Sequence, residues 1–231
     1  MIAIGPFLPQ IVEGLLTTFW LAWASIALAA LVAVVLGALR VSRSPLTSAA
    51  SGVGVELMRG TSVLVQLFWV YYALPVLPGG IDLGPVTAAL LVLGINGGAY
   101  GADIVRAGLL AVPRAQADAT RALGLPPLVA FRRVTLPQAL AQIVPGFGSL
   151  AIDVAKWTSV ASFVGVTDVL YWANVARSST NEVVLVYGLV AVLYIGLSIV
   201  VAGVFRGLEA LLPTSRARRA AQRARARTVA A

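Results

Sequence analysis

The amino-acid sequence predicts an all-α membrane protein with five transmembrane helices, and two observations support this fold class. Of the 231 residues, 59% are hydrophobic and only 11% are charged, whereas a soluble domain carries about 25% charged residues. The charged residues also leave uncharged stretches between them, and these match the roughly 20 residues that a helix needs to cross a bilayer. We therefore expect lipid to surround most of the chain.

The first two spans are delimited by charge and by helix-breaking residues. The first is predicted at 14–39, because no charged residue lies between Glu13 and Arg40. The second is predicted at 53–76 and ends at a cluster of prolines and glycines, which favour turns over helix.

The remaining three spans differ in regularity. The third is predicted at 84–106 and the fifth at 183–206, both around long uncharged runs. The fourth, at 138–160, is less regular because Pro145 interrupts it. We expect residues 1–210 to form a single transmembrane domain.

Basic residues predict the orientation, since loops rich in arginine and lysine stay in the cytoplasm. With the N-terminus outside and the C-terminus inside, fourteen of the seventeen basic residues are cytoplasmic. The expected cytoplasmic segments are 40–52, 107–137 and 207–231. The expected external segments are 77–84 and 166–182.

The residue inventory excludes several classes of protein. The chain has no cysteine and no histidine, so we expect no disulfide, no metal site and no nucleophile paired with histidine. Its single lysine, Lys156, lies outside any phosphate-binding loop motif. We expect no cofactor on this chain and no enzymatic activity of its own. The tail at 211–231 holds six arginines, which favour anionic lipid headgroups as the partner over nucleic acid.

The cytoplasmic segment 113–137 is too long for a simple turn between two spans. Residues 115–123 favour a short helix that ends at Gly124. A second short helix is expected from the two prolines at 126–127 through Phe131 to Arg133. The residues alone leave open whether this segment is a docking feature or an amphipathic loop on the headgroups.

Four blocks of sequence resemble one family. The run QADATRALGL at 116–125, followed by LPQA at 136–139, resembles the "EAA" loop of binding-protein-dependent ABC importer permeases, although Asp118 stands where that loop has glutamate and Thr120 where it has the second alanine. The other blocks resemble the polar amino acid subfamily, except that Ser62 stands where the subfamily has proline. They are ELMRGT with VQLF at 56–68, NGGAY at 96–100 and KWTS at 156–159.

The resemblance implies the type I ABC importer permease (MetI-like) fold, in a multi-pass subunit of a prokaryotic inner or plasma membrane. It implies a second permease (the same chain or a paralogue), an ATPase dimer that holds ATP and Mg, and an extracytoplasmic solute-binding protein. The loop would contact the ATPase, with Asp118 in the first turn of its helix and Gly124 at a positive φ. The implied coupling residues are Gln116, Ala117, Asp118, Ala119, Thr120, Leu123, Gly124, Leu125, Leu136 and Pro137.

Polar side chains inside the predicted spans are candidates for the substrate pathway, because burying them in lipid is costly. Asn96, Tyr100 and Asp103 share one face of the third span, and glycines occupy another face that suits close helix packing. The other candidates are Gln66, Asp153, Lys156, Thr158 and Ser159.

Structural roles for these residues stay open. Asn96 could bond a neighbouring helix, Asp103 could pair with Arg106, and Asp153 could pair with Lys156. Arg59 is expected to reach the cytoplasmic headgroups.

The substrate implied by the resemblance is a polar amino acid or a related zwitterion. The stretches at 60–69 and 99–103 also resemble permeases assigned to ectoine and hydroxyectoine. Functions from other classes are an ion channel, a membrane assembly subunit without an ATPase, and a hydrolase with a Ser–Lys dyad at Lys156.

Overall fold

The structure is a computed structural model that describes residues 5–42 and 44–212. Apart from its first two residues, the predicted basic tail at 211–231 lies outside the described residues. The described part is helical throughout, and short 3-10 or π-helical turns extend several of its helices. The α-helices are α1 (Leu8–Arg40), α2 (Pro45–Arg59), α3 (Val63–Phe68), α4 (Pro85–Leu110), α5 (Arg114–Ala122), α6 (Pro127–Ala130), α7 (Leu136–Trp157), α8 (Val169–Thr180) and α9 (Val183–Leu211).

Helices α1 and α4 pack closely along their length and form the centre of the fold. Small residues allow this approach: a Cβ added at Gly101 would lie 2.6 Å from the Cβ of Ala33, and one at Gly37 would lie 2.6 Å from that of Val105. The predicted glycine face of α4 is confirmed as a packing face. Helices α7 and α9 complete the largest apolar core.

The stretch predicted as a second span, 53–76, is a bent pair of helices. Helix α2 begins earlier, at Pro45, and the helical stretch 63–76 leaves it at an angle of 95°. Ser62 has an extended backbone at the bend, with φ −66° and ψ 134°. Beyond α3 the chain continues as a π-helical turn and a 3-10 turn.

The stretch around the predicted fourth span is one continuous helix from Pro127 to Val164. A helix begins at Pro127, as expected, but its expected end near Arg133 is wrong, since α6 continues through a π-helical turn, Phe131–Thr135, into α7. The amide of Leu136 bonds the carbonyl of Phe131, and the wider turn precedes Pro137, which has no amide to donate. Pro145 lies inside α7 without ending it.

Three helical stretches of the described residues are long and apolar enough to cross a membrane, namely Gly5–Arg40, Pro85–Leu110 and Val183–Leu211. The number rises to five if each bent pair counts as one span. The second pair joins 127–164 to α8 at an angle of 54°, after a left-handed Gly165 with φ +87°. Helix α9 is the least buried of the three long helices.

Candidate functional site

The ends of α1, α2 and α4 meet at one carboxylate. Asp103 of α4 accepts a hydrogen bond from Arg40 at the end of α1, and its other oxygen accepts one from Nη1 of Arg59 at 2.5 Å. All three side chains are partly buried, with exposed fractions of 15% for Arg40, 34% for Arg59 and 36% for Asp103. We call these three residues the ionic clasp.

The ionic clasp differs from one sequence-based alternative. Among the described residues, Asp103 pairs with Arg40 and Arg59 and not with Arg106, which is exposed. Arg59 is held against the protein, and its reach to the headgroups stays a prediction. Its guanidinium also lies 5.0 Å from the centre of the Tyr100 ring, a distance at which a cation is attracted to the ring face.

Next to the ionic clasp, two amide side chains converge on the end of α2. The carbonyl of Met58 accepts a hydrogen bond from Nε2 of Gln66 at 2.7 Å and another from Nδ2 of Asn96 at 3.0 Å. Asn96 also donates to Oε1 of Gln66 at 3.1 Å. Asn96 is 2% exposed, so in this conformation it bonds neighbouring elements and does not line an open surface.

Gln66 also lies at the edge of a cavity with a volume of about 580 Å³. Its Nε2 contacts the hydroxyl of Thr61 at 2.5 Å, so the amide is held at the bend between α2 and α3. The cavity is otherwise lined mainly by apolar side chains of α2, α3 and its continuation, and α4: Met58, Val65, Trp69, Val70, Leu74 and Ile95.

A second charged pair lies on the outer surface of α7. Nζ of Lys156 is 3.4 Å from Oδ1 of Asp153, and each side chain is 55% exposed. The hydroxyl of Ser159 donates to the carbonyl of Lys156 at 2.9 Å. The hydroxyl of Thr158 is fully buried and donates to the carbonyl of Ala155 at 2.7 Å. Asp153 and Lys156 are therefore accessible along this face, whereas Thr158 is not.

Helix α5 stands away from the rest of the protein. Every residue of it is exposed except Thr120, which is 8% exposed. The hydroxyl of Thr120 bonds the carbonyl of Ala117 at 2.8 Å. The implied position of Asp118 in the first turn is wrong, because α5 begins at Arg114 and places Asp118 at its middle, 3.0 Å from Arg121.

The end of α5 is a tight, locally bonded turn. Gly124 has φ +66°, which confirms the positive φ that was expected there. The amide of Gly124 bonds the carbonyl of Arg121 at 2.9 Å, and that of Leu125 bonds the carbonyl of Thr120 at 3.1 Å. This is the glycine-terminated pattern that satisfies the last carbonyls of a helix.

Apolar side chains surround this turn without being covered. Leu123 is 75% exposed, Leu128 is 67% exposed and Phe131 is 40% exposed. Of the other implied coupling residues, Gln116, Ala117 and Ala119 are exposed on α5, whereas Leu125, Leu136 and Pro137 are partly buried. Exposed leucines on a short projecting helical segment are typical of a surface that contacts another protein.

Sequence reasoning missed two contributors to the site, Arg40 and the backbone carbonyl of Met58. In the sequence, Arg40 marks the end of the first span and is one of the cytoplasmic basic residues, and the predicted topology places it at the same membrane depth as Arg59 and Asp103. This shared depth could have indicated that Arg40 pairs with Asp103. No side-chain pattern points to a backbone acceptor such as Met58.

Comparison with known proteins identifies the family to which this architecture belongs. Residues 26–212 match the family described as binding-protein-dependent transport system inner membrane component. The probable amino-acid ABC transporter permease protein y4tF of Sinorhizobium fredii is 39% identical over 174 residues, which are 74% of this chain and 73% of the relative. The glutamine transport system permease protein GlnP of Escherichia coli is 30% identical over 207 residues, which are 90% of this chain and 94% of the relative.

Solved structures agree with the sequence relatives. The crystal structure of an amino acid ABC transporter with histidines superposes with a TM-score of 0.81 at 28% identity, covering 90% of this chain and 96% of that one. An inward-facing MetNI methionine ABC transporter gives a TM-score of 0.73 at 21% identity, covering 90% and 98%, and shows the shared fold. The chain therefore belongs to the family of inner membrane components of binding-protein-dependent transport systems.

Proposed function

We propose that this chain is the translocation subunit of an ATP-driven importer for polar amino acids or related zwitterions. The observation that carries the proposal is the almost fully exposed α5 with its uncovered Leu123 and Leu128, in a chain whose relatives are amino-acid ABC transporter permeases.

Helix α5 docks on a cytoplasmic ATPase dimer, which binds the ATP and Mg that drive the cycle. It follows α4 after only three residues, so a displacement of α5 is passed to the central helix of the fold. Closure of the ATPase dimer then favours one of two arrangements of the spans, because the ATPase contacts α5 differently in each.

The substrate passes along a surface that includes Asp153 and Lys156. Two opposite charges 3.4 Å apart and half exposed offer partners for both the ammonium and the carboxylate of a zwitterion. Gln66 adds an amide at the edge of the cavity. Asn96 and Tyr100 of α4 are further candidates for the pathway, and Ser159 lies in the 3-10 turn that follows α7.

The chain lies in the plasma membrane of a prokaryote with its N-terminus outside and its C-terminus in the cytoplasm. Arginine placement supports this orientation. A second permease, either a copy of this chain or a paralogue, completes the pathway, and an extracytoplasmic solute-binding protein delivers the substrate. The chain itself hydrolyses no ATP.

Reconstitution tests the proposal. The permease is placed in liposomes with its ATPase and binding protein, and uptake of labelled polar amino acids and of ectoine is measured with and without ATP. ATP-dependent uptake that requires the binding protein supports an importer, and the preferred solute identifies the substrate class. Solute flux without any ATPase would show a channel or a different transporter.

A further inference from the structure

We propose that Asp103 is a positioning residue that holds α2 onto α1 and α4. Because of this hold, motion at the end of α4 that leads into α5 is passed to α2 and then, through the bend at Gly60–Ser62, to α3. This inference rests on the proposed transport function. It assigns to Asp103 a task other than contact with substrate.

The first argument is the connectivity of the ionic clasp. One carboxylate receives guanidinium groups from two other helices, so its loss leaves two partly buried cations next to each other. Breaking a partly buried ion pair by removing one partner is more disruptive than losing an exposed pair, because the remaining charge is uncompensated. Among the described residues, Arg59 has only Glu56 as a second carboxylate, at 3.7 Å, and Glu56 is two-thirds exposed.

The second argument is that α2 and α3 pack in different hydrophobic clusters. Val55 of α2 is buried with Ala99 and Ala102 of α4, beside Leu36 of α1. Leu67 of α3 is buried instead in a separate cluster that includes Leu93 of α4. The bend therefore lies between the two hydrophobic clusters.

The third argument is that both ends of α2 are tied to the central helices. Near its start, the hydroxyl of Ser48 bonds the carbonyl of Arg40 at 3.0 Å. At its end, the ionic clasp holds Arg59, and Asn96 of α4 bonds the carbonyl of Met58. Helix α2 is thus fixed to α1 and α4, whereas the bend itself, Gly60–Ser62, is exposed.

Distance measurements test the inference on the permease alone. The chain has no cysteine, so pairs of spin labels can be introduced at Leu57 and Leu110, which are 62% and 57% exposed on α2 and α4. We expect Asp103→Asn to broaden the distance distribution of this pair and Asp103→Glu to narrow it again. A second pair, at Leu31 and Leu110, reports on α1 and α4 and is expected to stay unchanged.

Asp153→Asn is the matched control, because Asp153 pairs with Lys156 within one helix and joins no two helices. It is expected to leave the Leu57–Leu110 distribution unchanged. If Asp103→Asn also leaves that distribution unchanged, or if Asp153→Asn broadens it equally, the positioning role is wrong.

A functional readout separates positioning from simple stabilisation. In the complete complex, Asp103→Asn should reduce the ATPase stimulation caused by the loaded binding protein by about 5-fold or more, the lower end of measured coupling effects, while basal ATPase activity remains. Stimulation at the wild-type level together with a broadened distribution would overturn the inference. A wild-type complex without any stimulation would refute the proposed function instead.

Discussion

The guanidinium of Arg59 lies 5.0 Å from the centre of the Tyr100 ring while it bonds Asp103, three residues further along α4. Two residues of α4 nearly one turn apart therefore hold the same cation, one through its ring face and one through its carboxylate. The end of α2 is therefore fixed in two directions.

The contact with Tyr100 leads to a prediction for the aromatic ring. Tyr100→Leu removes the ring face, a contribution of about 0.5–2 kcal/mol, so we expect a lower melting temperature of the purified permease. Tyr100→Phe keeps the ring face and should melt close to the wild type. Equal melting of the leucine and phenylalanine variants would show that the ring contact does not stabilise the end of α2.

The turn after α5 gives a prediction about coupling. Gly124→Val places a β-branched residue at φ +66°, where strain costs about 1–3 kcal/mol. Apart from its chain neighbours, no atom of the described residues lies within 4 Å of a Cβ built at Gly124, so the effect should be confined to the backbone of the turn. We expect normal membrane insertion, weaker co-purification of the ATPase and loss of uptake. Gly124→Asn is the control, since asparagine tolerates this conformation.

Full recovery of the ATPase together with normal uptake in Gly124→Val would mean that the segment is only a connector. A related change, Asp118→Lys, is expected to act more mildly. Asp118 is exposed and pairs only with Arg121 on the same helix, and an exposed pair of this kind contributes about 0.2–1 kcal/mol.

The charged pair on α7 predicts separate effects on transport and on stability. Because Asp153 and Lys156 are half exposed, Lys156→Gln should change the melting temperature little, the pair being worth about 0–1 kcal/mol. If the pair lines the pathway, uptake falls while ATPase recruitment stays intact. Normal uptake by Lys156→Gln would remove this pair from the pathway.

The two amides at the bend are expected to differ from each other. Asn96→Ala removes a buried donor from Met58 and Gln66, so we expect earlier melting by an amount that corresponds to about 0.6–2 kcal/mol as well as lower uptake. Gln66→Ala should lower uptake with a smaller change in melting, because Gln66 faces the cavity. Early melting of both variants with normal uptake would show that both serve only packing.

The orientation can be tested with single cysteines, since the native chain has none. An impermeant external reagent applied to intact cells should label a cysteine at 80 or 180 and leave one at 119, which is exposed on α5, unlabelled. Labelling at 119 would reverse the proposed orientation, and its labelling after permeabilisation is the internal control.

Sequence reasoning reached the helical class and the packing face of α4, because composition and small-residue spacing report directly on lipid exposure and on how closely helices approach. It also reached the left-handed Gly124, because few other residues tolerate that conformation. It missed the bend at Gly60–Ser62, because charge delimited the predicted spans and the three residues of the bend are uncharged. It also missed the partners of Asp103, because side chains 63 and 44 residues away meet only through the tertiary fold.

The hydrogen bonds that end α5 are all local, since Leu125 and Gly124 bond residues of the preceding turn. The segment therefore has its final shape before any partner arrives, and little conformational entropy is lost when it is bound. Under the proposed function, a displacement imposed at Leu123 is passed along this preformed segment towards α4. A looser turn would lower both the affinity for the proposed ATPase and the coupling of its motion to transport. Across a series of substitutions at Gly124, these two quantities should therefore decrease in parallel.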